Sequence, residues 1–224
     1  MTVATPHTRL YLQLAAGEGA ETRLRSALAA APIDAVMIVP PAASHRDPAT
    51  LRTLVALAQD HNAAALIEGD PALAKVARAD GVHLPWSDML EDTYDAARKV
   101  LGPREIVGSE ASASRHVAMT LAEAGADYIA FARAMPLAEG DDAPSGQEAL
   151  VEWWAEVFEV PCVALDVRTV EEAAALARAG ADFVGIMAEA GLSPDAMSAR
   201  VRAIAAALRV TSAEPDSPPS RRER

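Results

Sequence analysis

Residues 160–187, VPCVALDVRTVEEAAALARAGADFVGIM, have the pattern of a strand, a helix and a second strand. Residues 161–167 form a short, nearly all-apolar run, as expected for a parallel strand that is buried on both faces. Thr169 is placed to cap a helix that carries Glu171 and Glu172 in its first turn, and Gly180 is placed to end it. Residues 183–187 supply the next apolar strand. Two parallel strands joined through one helix form a right-handed βαβ unit, so this segment predicts a parallel sheet covered by helices.

The same alternation recurs along the chain. The predicted strands are 9–15, 35–40, 63–69, 81–86, 105–110, 127–134, 161–167 and 183–187, and the predicted helices are 21–31, 50–60, 71–79, 91–101, 114–124, 147–158, 169–180 and 194–208. Eight such units predict an α/β fold, a single (β/α)8 TIM barrel over residues 1–210. The long irregular segment 136–145 is typical of a functional lid or a mobile loop. Residues 211–224, rich in proline, serine and charge, predict a disordered C-terminal tail.

Composition narrows the classes of function. The 224 residues include 51% hydrophobic residues, enough for a barrel core, and the net charge of −12 argues against a nucleic-acid or anionic-membrane partner. The single cysteine, Cys162, lies in a predicted buried strand and is expected to be a small core residue. No leader or membrane-spanning run is evident, so a cytoplasmic protein is expected. Both lysines, Lys75 and Lys99, fall in predicted helices, which argues against Schiff-base chemistry.

Functional residues of a (β/α)8 barrel lie on the loops that follow the strands. Acids on neighbouring loops, Glu68 or Asp70 with Asp88, are suited to Mg2+, which prefers oxygen ligands. The alternative is that Asp70 and Asp88 cap the helices that follow them. His83 faces opposite to its two apolar neighbours, so it either contacts a ligand inside the barrel or is a hydrogen-bonded structural histidine.

Five segments resemble thiamine phosphate synthase in their order and spacing: RLYLQLA, LIEGDPALAKVARADGVHLPWSD, EIVGSEA, GADYIAFARAMP and the unit at 160–187. The resemblance covers residues 9–208. Its most specific piece is ADGVHLPWSD, which is similar to the family pattern AxGVHLGQxD. The resemblance implies a (β/α)8 transferase that joins a pyrimidine methyl diphosphate to a thiazole phosphate. Pyrophosphate would leave through a carbocation-like intermediate, held by Mg2+ and basic residues.

The sequence departs from the family pattern at several positions that the resemblance makes functional. One metal-binding aspartate of the family matches Asp88, but the Asn-Asp pair after the third strand begins at Glu68. The serine of the fifth strand falls on Glu110, and the Gly-Gly after the seventh strand begins at Asp166. An aspartate there keeps backbone amides from the thiazole phosphate and repels it. The second strand, AVMIVPPA, has no basic residue before Arg46, so turnover is expected to be far below that of a typical family member.

Arg133 and Arg168 lie at the ends of the sixth and seventh predicted strands, and they are the candidates for a replacement anion site. Arginine offers a planar fork of donors to a phosphate or carboxylate. The competing interpretation pairs Arg168 with Asp166 or Glu171, and Arg133 with the acids of residues 139–142. His83, Glu110 and Asp166 complete the predicted substrate-binding or anion-binding set, and no residue is assigned as catalytic.

Three classes of function remain open. The first is a divergent thiamine phosphate synthase with weak or altered activity and Mg2+ as cofactor. The second is a related barrel that binds another small phosphorylated or anionic ligand. The third is a catalytically silent protein that acts through interaction, for example as a homodimer through the helix that carries Trp153 and Trp154.

Overall fold

The computed structural model describes residues 7–42, 47–133, 146–189 and 191–213, with only the backbone at 212 and 213. Eight parallel strands pair in sequence order and close into a barrel, with the last strand hydrogen-bonded to the first. A helix follows each strand. In chain order the elements are β1 Arg9–Ala15, α1 Ala20–Leu28, β2 Ala35–Val39, α2 Pro48–Gln59, β3 Ala64–Glu68, α3 Pro71–Ala77, β4 Gly81–Leu84, α4 Leu90–Leu101, β5 Ile106–Glu110, α5 Arg115–Glu123, β6 Tyr128–Phe131, α6 Gln147–Val157, β7 Cys162–Val167, α7 Val170–Arg178, β8 Phe183–Ala188 and α8 Pro194–Ala213. The predicted (β/α)8 barrel is confirmed.

The strands are buried on both faces because each contributes alternate residues to two apolar layers. Residues such as Val82, Leu84 and Cys162 point outward and form one cluster with the helices. Residues such as Tyr11 and Tyr128 point inward and fill the barrel. The predicted core position of Cys162 is confirmed, and burial raises the pKa of its thiol to about 12.

Aspartates that recur before the even-numbered strands link neighbouring strands at the end of the barrel where the strands begin. We call them the strand-closing aspartates. Each of three aspartates stands directly before an even-numbered strand, and its carboxylate accepts a hydrogen bond from a backbone N–H near the start of the preceding strand. The three bonds run from Ala65 to Asp80 (2.7 Å), from Val107 to Asp127 (2.8 Å) and from Cys162 to Asp182 (2.8 Å). Asp34 holds the same position before β2, but its exposed carboxylate makes no such bond to a described residue.

Several elements end differently from the prediction, among them β4, β6 and α8. β4 ends at Leu84 and not at residue 86, because Pro85 has no N–H for the ladder. β6 ends at Phe131 and not at 134. α8 continues to Ala213, five residues past the predicted end, and the Thr211 hydroxyl donates to the carbonyl of Ala207 at 3.0 Å. The predicted loop 136–145 and residues 214–224 of the predicted tail lie outside the described residues. No helix in the described ranges is long and apolar enough to cross a bilayer.

The two adjacent tryptophans of α6 occupy different environments. Trp154 is buried, and its indole N–H donates to the carbonyl of Val160 at 2.7 Å. Trp153 is half-buried, and the guanidinium of Arg115 lies 4.8 Å from its ring centroid. Both side chains are packed within the chain, so the homodimer stays a prediction.

Candidate active site at the barrel mouth

Two inward-facing glutamates stand where their strands reach the mouth of the barrel. Glu68 ends β3 and Glu110 ends β5, and both are half-buried. Burial raises the pKa of the Glu68 carboxyl. Burial also raises the pKa of Glu110, and repulsion by Asp166 and Glu68 adds to it, against one hydrogen bond from the backbone of Trp86. The three carboxylates therefore share one electrostatic environment and repel an anionic ligand.

Asp166 turns toward Gln13 through an irregularity of β7. The pairing of β7 with β8 shifts register between Ala164 and Val167, and Asp166 has a φ of 60°. Its carboxylate accepts from the Gln13 amide at 3.2 Å, and its backbone N–H donates to the Gln13 side-chain oxygen at 3.1 Å. A left-handed φ is the conformation that favours glycine. The backbone here has the form that suits the Gly-Gly implied by the resemblance, while the side chain adds a carboxylate.

Below the acids, three aromatic side chains form a buried hydrogen-bonded chain inside the barrel. The Tyr11 and Tyr128 hydroxyl oxygens lie 3.0 Å apart, and Nδ1 of His83 lies 2.8 Å from the Tyr128 hydroxyl. Gly108 separates His83 from Tyr128 in the sheet, and a Cβ there would lie 1.9 Å from the Tyr128 ring. Burial lowers the pKa of His83 to about 4, so the imidazole is neutral near pH 7.

The structure agrees with the structural interpretation of His83, and contact with a ligand stays a prediction. Its side chain faces into the barrel and is fully buried, and Nδ1 has a partner, as a structural histidine requires. Nε2 is also buried and has no hydrogen-bond partner among the described residues. One polar atom therefore remains inside the barrel beneath the mouth.

The two aspartates of the predicted metal site have different roles. The Asp70 carboxylate accepts from the Leu73 N–H at 2.9 Å and caps α3, as the helix-cap interpretation predicts. Asp88 lies exposed in the loop between β4 and α4. The residue at the N-cap of α4 is Met89, without a side-chain cap bond, so the cap interpretation of Asp88 is wrong. The exposed Asp88 carboxylate forms no hydrogen bond or ion pair with another described residue.

The fit of a magnesium ion depends on the oxygens that remain. Among residues 7–42, 47–133, 146–189 and 191–213, no group of three or more His, Cys, Asp or Glu side chains is arranged to hold a metal. Mg2+ is commonly held by one or two carboxylates together with water and substrate phosphate oxygens. Glu68 ends β3 and Asp88 lies in the loop after β4, so two carboxylates of that chemistry stand on neighbouring units of the barrel. Oxygen donors of this kind suit a magnesium ion that is shared with a phosphorylated ligand, and Mg2+ itself stays a prediction.

Arg133 is held by an acid that the sequence interpretation did not name as its partner. Its guanidinium forms an ion pair with Glu172, in the first turn of α7. The other oxygen of Glu172 accepts from the backbone N–H groups of Arg168 (2.9 Å) and Thr169 (3.2 Å). The Thr169 hydroxyl in turn caps the Glu172 N–H, which confirms the predicted cap of this helix. The acids of residues 139–142, predicted as partners of Arg133, lie outside the described residues.

Arg168 reaches the same rim with an exposed side chain. No ion pair joins it to Asp166, to Glu171 or to any other residue that the structure describes. The two arginines are linked through Glu172, which binds the side chain of one and the backbone of the other. Arg168 is therefore the cation of this pair that remains available to an anion.

Sequence reasoning did not identify Gln13 or the two tyrosines as site residues. Each lies within an apolar strand, and a polar side chain at an inward position of such a strand is the signal that identifies it. Gln13 is 5% exposed and Tyr11 is 1% exposed. The sequence separation is 117 residues between Tyr11 and Tyr128 and 153 residues between Gln13 and Asp166, so closure of the barrel brings these pairs together.

Comparison with known proteins gives a consistent set of similarities. A family model described as thiamine monophosphate synthase matches residues 15–190. A thiamine-phosphate synthase of Hyphomonas neptunium is 39% identical over 150 residues, which are 67% of this chain and 66% of that protein. The enzyme of the same name from Erythrobacter litoralis is 42% identical over 135 residues, 59% of this chain and 62% of that one. The chain thus matches just under two thirds of the length of these relatives.

Solved structures show the same fold at low sequence identity. A thiamine phosphate pyrophosphorylase from Pyrococcus furiosus superposes with a TM-score of 0.72 at 19% identity, over 92% of this chain and 98% of that one. Tryptophan synthase from Mycobacterium tuberculosis gives 0.71 at 16% identity, over 92% and 94%. These likenesses concern the barrel and its topology.

Proposed function

The chain belongs to the thiamine monophosphate synthase family, and from that premise we propose that it is a thiamine-phosphate-synthase-like transferase with weak or altered activity. The proposed reaction joins a pyrimidine methyl diphosphate to a thiazole phosphate and releases pyrophosphate. The observation that carries the proposal of weak activity is the carboxylate set of Glu68, Glu110 and Asp166 at the mouth of a family barrel. We also propose that the protein acts in the cytoplasm.

The proposed reaction is a displacement at one carbon. The bond between the pyrimidine methylene carbon and the diphosphate oxygen breaks, and both electrons leave with the diphosphate. The thiazole nitrogen then forms the new C–N bond with its lone pair. The methylene carbon carries positive charge between these two events, and carboxylates at the mouth favour positive charge near them.

The same carboxylates oppose the binding of both phosphorylated substrates. Three like charges around the mouth raise the free energy of any anion placed there. Arg133 forms an ion pair with Glu172, so its positive charge is already balanced. Arg168 is the exposed guanidinium that supports the proposed anion contact. A magnesium ion, when bound, would neutralise diphosphate charge, and Asp88 with Glu68 would hold it. Binding of the diphosphate is therefore proposed to depend on the metal.

The second candidate is a related barrel that has lost turnover and binds another small ligand. The carboxylates favour it, since Glu68, Glu110 and Asp166 stand where the resemblance implies asparagine, serine and glycine. A ligand of this second kind would have a cationic group near the acids and a phosphate or carboxylate near Arg168. Its binding would not require the two thiamine precursors.

The test is incubation of the purified chain with both precursors and Mg2+, with thiamine phosphate and pyrophosphate measured together. We expect both products in equal amounts, at a rate about 100-fold or more below a relative that keeps the Gly-Gly and the basic residues. A rate equal to that relative would contradict the weak-activity proposal. No product above a heat-inactivated control would favour the second candidate.

A further inference from the structure

A cavity of about 280 Å3 opens at the end of the barrel opposite to the candidate active site. Ala35 and Ala64 lie side by side on β2 and β3 at its wall, and two small side chains at one level leave the space unfilled. Tyr11 and Tyr128 form its inner end, and their hydroxyls belong to the buried chain with His83. Most of the lining is therefore apolar, and its inner end is aromatic.

Two opposite charges stand at the outer end of this cavity. Arg9 is exposed, and its guanidinium carbon lies 3.9 Å from the ring centroid of Phe183, which fixes the cation at the wall. Asp34 lines the same cavity. Among the described residues neither side chain has an ion-pair partner, and they do not pair with each other.

The position of Asp34 is a second, independent observation. Asp80, Asp127 and Asp182 all give their carboxylates to backbone amides of the neighbouring strand. Asp34 also stands before an even-numbered strand, but its carboxylate makes no such bond to a described residue, and the residue lines the cavity. The strand-closing role that accounts for the other three aspartates does not account for this one.

We propose that this cavity is a second small-molecule site, which takes an apolar α-amino acid or a zwitterion of the same size. The carboxylate of the ligand would pair with Arg9 and its ammonium with Asp34. The side chain would enter the space beside Ala35 and Ala64. A ligand of this class matches the cavity in both of its features, an apolar interior and one charge of each sign at the opening.

The first experiment measures binding of L-phenylalanine to the full chain by titration calorimetry, with 3-phenylpropionate and 2-phenylethylamine as probes that each lack one charged group. We expect saturable binding of L-phenylalanine with a Kd of about 1 mM or below, and at least about tenfold weaker binding of the other two. No saturable binding at about 10 mM would overturn the proposal. Equal binding of all three probes would overturn the assignment to zwitterions.

Variants test whether L-phenylalanine binds in the cavity. Ala35→Leu and, separately, Ala64→Val fill the space, and both are expected to abolish L-phenylalanine binding while the Tm stays equal or rises. Arg9→Gln is expected to weaken binding about tenfold or more. Arg104→Gln is the matched control, because Arg104 is exposed just before β5 at the same end of the barrel but does not line the cavity. Full binding by a folded filling variant, or an equal loss in Arg104→Gln, would overturn the location.

Discussion

Gln13 and Asp166 exchange two hydrogen bonds across the mouth of the barrel, one through the Asp166 carboxylate and one through its backbone N–H. The two residues lie on β1 and β7, which are separated by β8. The φ of 60° at Asp166 is a conformation that glycine adopts without strain. The pair therefore holds a carboxylate in place at the mouth, and we expect its negative charge to oppose phosphate binding.

Replacement of this carboxylate is expected to increase the affinity for thiazole phosphate. Asp166→Gly removes the charge, the Gln13 contact of the side chain and the strain of a left-handed residue, and so the Tm is expected to change by only a few degrees. Thiazole phosphate is expected to bind at least about twofold more tightly. Isothermal titration calorimetry measures the affinity of the parent and of the variant for thiazole phosphate.

Asp166→Asn is the matched variant, because it removes the charge and keeps a side chain that tolerates the same φ. A similar gain in both variants assigns the effect to charge. Tighter binding in the glycine variant alone assigns the effect to better access of the ligand to the backbone amides. Unchanged affinity in both would contradict the interpretation that Asp166 repels the ligand.

A pH-dependent stability is expected from His83. Its pKa falls from 6.5 to about 4 on folding because the imidazole is buried, so the unfolded chain binds the proton more tightly. The free energy of unfolding is therefore expected to fall as the pH is lowered from about 6.5 to about 4, by at most about 3 kcal/mol. Urea denaturation at a series of pH values measures it.

The His83→Asn variant isolates this contribution. Asparagine keeps a polar atom for the Tyr128 hydroxyl but does not titrate. The pKa values of Glu68 and Glu110 are raised, so their contribution to the free energy of unfolding falls as the pH rises, which is the opposite sign. That contribution is the same in the parent and in the variant. The difference between parent and variant is expected to shrink as the pH falls through this range. A constant difference would contradict a neutral, buried His83.

The architecture was predictable because it depends on a local pattern that is repeated eight times. Apolar runs and caps such as Thr169 place each strand and helix without knowledge of distant residues. The contacts at the mouth were not predictable in this way. Glu172 was identified as a first-turn acid of its helix, but the approach of Arg133 from the preceding unit depends on how the loops of the closed barrel meet. The same holds for Gln13 with Asp166.

The strand-closing aspartates are expected to stabilise the barrel individually. Asp182→Ala leaves the Cys162 N–H without its partner at 2.8 Å, so the free energy of unfolding is expected to fall by about 1–2 kcal/mol. Asp34→Ala is the matched control and is expected to stay within about 0.5 kcal/mol of the parent, because Asp34 makes no bond of this kind. Chemical denaturation of both variants tests the pair. Equal losses would show that the position before the strand, and not the hydrogen bond, matters.

We expect the Mg2+ dependence of pyrophosphate binding to require the carboxylate of Asp88. Since the described residues contain no preformed metal cluster, Mg2+ is expected to bind weakly by itself and more tightly with a phosphorylated ligand. Asp88→Asn is expected to reduce the Mg2+-dependent gain in pyrophosphate affinity by about tenfold. Asp70→Asn is the control, because that side chain caps α3. A variant at Asp88 that keeps the full metal dependence would exclude this carboxylate as a ligand.

The two rim arginines are expected to behave differently, although the sequence treats them as a pair. Arg133 is half-exposed and bound to Glu172, and an ion pair of that exposure contributes about 0–1 kcal/mol. Arg133→Ala is therefore expected to leave pyrophosphate affinity within about twofold and to lower the Tm slightly. Arg168→Ala is expected to weaken pyrophosphate binding about tenfold with an unchanged Tm, because its guanidinium has no described partner to lose.

The double variant completes the comparison of the arginines. If the effects are independent, its affinity loss equals that of Arg168→Ala, and its change in Tm equals that of Arg133→Ala. A larger loss of affinity in the double variant would show that Arg133 leaves Glu172 to bind the anion when Arg168 is absent. Full affinity in the double variant would contradict an anion site at this rim. Pyrophosphate binding would then have to depend on the metal held by Asp88. Loss of that binding after removal of Mg2+ with a chelator would identify this case.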